Sequence, residues 1–275
     1  MLGAAMRWLV ALVGVLIAAA SISAQEPNYE AMFSLRSSVG FRSALQAADQ
    51  RLAVDATDGT AAGVRALVYA NAVDYLAMEP AQARKARATA LARAIELAPK
   101  SPWTRAAYGL IHLSDDTSAA ERELAACVDE HPAFIECYNL YGDHLRKTGR
   151  GEQAGAIYRR AMQRWPGDGE LLVSYALLLQ ETGNAVQALT LLNSLTQAQP
   201  SFARGHWHLA VMLYETGGDH ARTLDEAKHA LALDPLIWNG EKLLEQLNRA
   251  PAAQQRVPAD RHEDAAPAER NRWAP

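Results

Sequence analysis

Residues 135–166 read IECYNLYGDHLRKTGRGEQAGAIYRRAMQRWP. Tyr138, Tyr141, Gly142 and Leu145 recur at spacings of three and four, which puts them on one face of a helix. Gly149 ends that helix, where a residue free to adopt positive φ is wanted. Ala154, Tyr158 and Ala161 mark the inner face of a second helix, and Pro166 stops it. The stretch is a helix–turn–helix hairpin whose two apolar stripes face each other.

The pattern then returns in register. Leu172, Tyr175, Ala176, Leu179, Gly183, Ala188, Leu192, Leu195 and Pro200 form a second copy. His206, Leu209, Ala210, Leu213, Gly217, Ala230 and Pro235 form a third, with one extra residue after Gly217. Upstream, Tyr108, Gly109, Ala120, Leu124 and Pro132 fit a copy one residue shorter, with Cys127 replacing the late alanine. The closing prolines Pro99, Pro132, Pro166, Pro200 and Pro235 are separated by 33, 34, 34 and 35 residues. Before Pro99 the pattern degrades. Thr60–Met78 reads as one long first helix and Ala81–Leu97 as its partner. Phe41–Asp55 reads as another second helix, with Tyr29–Ser38 as its short first helix.

A period near 34 with small residues at Gly142, Ala154, Ala176, Ala188 and Ala210 resembles the tetratricopeptide repeat (TPR) family, most specifically over 135–235. The resemblance implies an all-α TPR-type α-solenoid, a right-handed superhelix of antiparallel helix pairs. Small residues allow close helix approach; anything larger would push the axes apart. The resulting layout is a leader over 1–24, degenerate repeats over 28–99, clear repeats over 101–235, a capping helix over 236–249 and a disordered tail over 250–275. The family implies that the first helix of each unit lines a concave face. Its exposed positions would hold Glu136, Asn139, Asp143 and Arg146, then Glu170, Val173, Leu177 and Gln180, then Arg204, Trp207, Val211 and Tyr214. The expected site is a partner-binding groove of Asn139, Asp143, Val173, Leu177, Trp207, Val211 and Tyr214. Its central strip is apolar and suits an extended or helical peptide with apolar anchors. The competing expectation is that the chain's own N-terminal helices or tail cover the strip. Some family members hold acidic chaperone C-termini with a Lys/Asn/Lys/Arg clamp; Asn139, Asp143, Val173, Leu177, Trp207 and Val211 stand in those places, and the clamp is missing.

The N-terminus carries a different signal. Arg7 precedes thirteen apolar residues, Trp8–Ala20, and Ser21-Ile22-Ser23-Ala24 ends the run in small residues. That is the pattern of a secretory signal peptide cleaved after Ala24, the other reading being an uncleaved anchor. The apolar run is shorter than the roughly 18–20 residues a spanning helix needs. Export, to the periplasm in a Gram-negative cell, would place Cys127 and Cys137 in an oxidising compartment. They are equidistant from the turn at Pro132, which permits a disulfide; two small buried thiols are the alternative.

Net charge is −4, from 27 basic and 31 acidic residues, with no basic stripe, so no nucleic-acid partner is expected. His206 and His208 point to different faces, and His112, His131, His144, His220, His229 and His262 are scattered, so no metal site is expected. No nucleophile elbow, phosphate-binding loop or Cys-x-x-Cys pair occurs. The expectation is a non-enzymatic scaffold without cofactor whose partner is a protein or peptide. The alternative is an accessory subunit that presents substrate to an envelope enzyme. Trp273 is the tail's one aromatic residue.

Overall fold

The computed structural model describes residues 26–237 and 239–249. The leader expected over 1–24 and the disordered tail expected over 250–275 lie outside the described residues. Within them are fourteen helices and no strand. The first five are α1 (Tyr29–Ser34), α2 (Ser38–Val54), α3 (Gly59–Ala70), α4 (Ala72–Leu76) and α5 (Pro80–Leu97). Then come α6 (Pro102–His112), α7 (Thr117–Glu130), α8 (Ile135–Lys147), α9 (Gly151–Met162) and α10 (Gly169–Glu181). The last are α11 (Ala185–Ala198), α12 (Ala203–Glu215), α13 (His220–Leu233) and α14 (Gly240–Arg249).

From α6 onward the helices pair as the period dictates: α6 with α7, α8 with α9, α10 with α11, α12 with α13. The first helices α6, α8, α10 and α12 lie side by side and form one wall. Gly149, Gly183 and Gly217 occupy the turns at φ of +77°, +83° and +69°. At the first turn the Arg150 N–H donates to the Leu145 carbonyl at 2.8 Å and the Gly149 N–H to Arg146 at 3.0 Å, which satisfies carbonyls the helix end leaves open. Close approach explains the glycine inside α8. A Cβ on Gly142 would sit 2.3 Å from the Tyr158 ring of α9.

Cys127 and Cys137 form a disulfide across the turn between α7 and α8, with Cα atoms 6.0 Å apart. α14 lies against the last pair and buries Leu243 and Leu247 beside Trp207, Ala210 and Ala230. It thereby occupies the place of a further first helix and closes the apolar stack.

The N-terminal part departs from the expected layout. Thr60–Met78 is two helices rather than one. Asn71 stands between α3 and α4, and its Nδ2 donates to the Leu67 carbonyl at 2.9 Å. Such a side chain competes with the helical ladder for backbone groups. Ala77 then leaves α4 at φ +53°. The break turns Tyr75 inward, where its ring stacks on Phe41 with centroids 4.1 Å apart.

Candidate functional site: the concave wall and its closure

The structure redistributes the groove residues chosen from the sequence, and the strip is not an open apolar groove. Val173 has no exposure and Leu177 is half-buried, both packed between α10 and α12. Trp207 and Val211 are 2% and 8% exposed, and Tyr214 is half-buried; all three pack in the cluster that α14 completes. The reason is the stacking itself: these positions face the next first helix, so apolar residues there are core. Asn139 is 3% exposed and lies with Glu136 beside Arg36. Asp143 accepts a hydrogen bond from the Tyr158 hydroxyl at 2.7 Å. Of the seven, Asp143 and Trp207 reach the cavity described next.

The N-terminal section crosses the wall and ties it to the far end of the solenoid. Arg36, in the turn after α1, makes a buried ion pair with Glu136 of α8. The Ser38 hydroxyl donates to Asp234 at 2.9 Å, joining residues 196 positions apart. Arg204 of α12 donates to the Tyr75 hydroxyl at 2.8 Å and lies 3.0 Å from Glu170 of α10. These polar contacts turn an open superhelix into a ring. Inside it remains a cavity of about 500 Å³. Arg36, Tyr75, Glu170, Arg204, His208 and Lys147 supply its polar lining, and Leu110, Leu113 and Leu140 part of its apolar wall. A volume of this order is typical of sites for small molecules or a few peptide residues.

The electrostatics follow from burial and pairing. Burial, reinforced by Arg204 and Arg146, holds the His208 imidazole well below its ordinary range, so the ring is neutral at physiological pH. Burial would raise the Asp143 carboxyl, but Arg146, Lys147 and hydrogen bonds from Tyr158 and Ser174 win and hold it below its ordinary value. Burial pushes the Tyr75 hydroxyl up, so it stays protonated beside Arg204. His206 bridges neighbouring helices: it meets Glu226 at 2.6 Å and the Pro200 carbonyl at 3.0 Å. Among the described residues no three metal-ligating side chains converge, and no helix is long and apolar enough to cross a membrane.

The sequence named Glu136, Glu170, Arg146 and Arg204 only as flanks. Arg36 and Tyr75 had no signal there, because their partners lie 100 and 129 positions away. His208 had one: its spacing of two from His206 placed it on another face.

Residues 145–210 match the tetratricopeptide repeat family. No curated protein matches the chain in sequence. Among solved structures, it is similar to TTC0263, a thermophilic TPR protein of Thermus thermophilus, at 17% identity and TM-score 0.56, over 68% of this chain and 98% of that one. It is similar to PilW, a type IV pilus biogenesis factor, at 15% identity and TM-score 0.52, over 76% and 91%. Human IFIT1 with m7Gppp-AAAA shows 16% identity and TM-score 0.58, over 70% of this chain. The chain spans about half of IFIT1, 46% of its length. At such identities the likeness is of fold. The protein is a TPR-type α-solenoid. Since one similar solenoid is solved with a capped oligonucleotide, the fold alone does not choose between protein and nucleic acid; side chains do.

Proposed function

We propose that this chain is an exported scaffold of the cell envelope that binds a protein or peptide segment at its concave face. The observation that carries the reading is the cavity of about 500 Å³ inside the ring, where paired charges meet an apolar wall. The arginines that line it, Arg36 and Arg204, are each engaged with carboxylates. That leaves them poor partners for phosphates and favours a polypeptide over a nucleic acid. Export is supported by the basic–apolar–small pattern of residues 7–24 and by the disulfide between Cys127 and Cys137, which suits an oxidising compartment.

The test is a photoreactive residue at position 147, an exposed position on the cavity rim, in intact cells. The expected result is a crosslink to one partner in the envelope fraction, lost when Leu140→Asp alters the apolar wall. Crosslinks confined to the chain's own helices, with the protein in the cytosolic fraction, would overturn the reading.

A further inference from the structure

α1 is six residues long, and its hold on the concave wall is made by side chains. No main-chain hydrogen bond joins it to α6, α8 or α10 among the described residues. Tyr29 meets Trp103 of α6 edge-on at 5.9 Å, and Phe33 meets the same indole at 5.2 Å. One turn later Arg36 enters the wall at φ +42°, a left-handed conformation that is strained for a non-glycine residue. The segment therefore presents two aromatic rings and one arginine, about one helical turn apart, to a surface built from the first helices of three consecutive units.

That surface is shaped for such a group. Glu136 and Glu170 hold the same position in successive repeats, 34 residues apart, and both attract the Arg36 guanidinium. The fit of the chain's own arginine is incomplete. Arg36 Nε and Glu136 Oε1 are buried without a hydrogen-bond partner, as is Asn139 Oδ1 beside them. A carboxylate can accept a two-pronged bond from a guanidinium, and this one uses one oxygen. Strained backbone and unmet polar groups in one contact describe a ligand held below its best geometry. The cavity continues from Arg36 past Tyr75 toward Trp207, which leaves room for more chain beside the arginine.

We propose that the wall of α6, α8 and α10 is a docking surface for a helical turn of a partner protein carrying an arginine next to aromatic residues, and that α1 with its following turn is the chain's own copy of that ligand. A partner segment with unstrained backbone and a two-pronged arginine replaces the copy, and α1 comes away. The inference rests on the reading of the concave face as a protein-binding surface.

The test uses a labelled peptide with the sequence of residues 28–42 and the full chain. Arg36→Gln should weaken the internal copy, so the peptide binds this variant at least tenfold more tightly than the wild type. The Arg36→Gln form of the peptide should lose at least tenfold, as should the double variant Arg36→Gln/Glu136→Gln of the chain. Helix content by circular dichroism confirms folding. If Arg36→Gln does not fold, Arg36→Lys, which keeps the charge and loses the fork, should show the same gain to a smaller degree. Equal affinity for wild type and folded variant, or no binding to either variant, would overturn the proposal. A partner crosslink from position 147 that persists after such a result would leave the scaffold reading standing and sink only this inference.

Discussion

The repeats from α8 to α13 and the section from α1 to α5 are built by different physics. In the repeats each helix packs on its sequence partner and on the equivalent helix of the next unit, the turns are glycines at positive φ, and the packed core is apolar. In the N-terminal section, the polar contacts that reach the wall and the far end span 100 to 196 residues: Arg36 with Glu136, Ser38 with Asp234. There the left-handed positions fall on Arg36 and Ala77, not on glycine. The repeats use residues suited to their conformation; the seam holds residues in conformations they disfavour. A buried ion pair adds less net stability than an apolar contact of the same size, but it is specific. The difference marks the repeats as framework and the seam as the part able to change partners.

The largest effect should come from the framework. Tyr158 is fully buried between α8 and α9, so Tyr158→Ala should cost about 3–5 kcal/mol in denaturant unfolding and lower protection along the whole solenoid. A loss confined to α8 and α9 would break the comparison. Replacing both Cys127 and Cys137 with Ala should cost about 2–3 kcal/mol, the loop-closure effect of a short crosslink. Dithiothreitol should reproduce that loss in the wild type and leave the variant unchanged. Gly149→Ala and Gly183→Ala, at φ of +77° and +83° with open space around them, should each cost about 1–2 kcal/mol from backbone alone.

The smallest effect sharpens the view of the ring interior. His208 folds with its imidazole held below the unfolded value near 6.5, so the native state binds fewer protons than the unfolded chain in that window. Stability should be full above about pH 6.5 and fall as pH drops below it, by at most about 1.4 kcal/mol per unit. His208→Leu should flatten this slope in urea titrations between pH 5 and 7. A slope unchanged in the variant would mean other groups set the acid response.

The same contrast decides what was legible in the sequence. The hairpin of 135–166 and its copies were readable because period, turn glycines and closing prolines are local signals. The small-residue positions were readable for the same reason, and Gly142 against Tyr158 shows the close approach they predict. The open groove was misplaced because Val173, Trp207 and Val211 face the next first helix, and α14 supplies that helix after the last pair. The ring closure was present only as an alternative, since no pattern links Arg36 to Glu136 or Ser38 to Asp234. The break at Asn71 was missed because an asparagine inside an apolar run carries a weaker signal than a proline would.

The most direct measurement of the central claim is native-state hydrogen exchange resolved by segment, with and without the peptide copy of residues 28–42. The account predicts that amides of α1 exchange at least tenfold faster than those of α10 and α12, and that added peptide speeds α1 further while α10 and α12 are unchanged. Equal protection of α1, α10 and α12, with no response to peptide, would show that the N-terminal segment is framework like the rest and contradict the account.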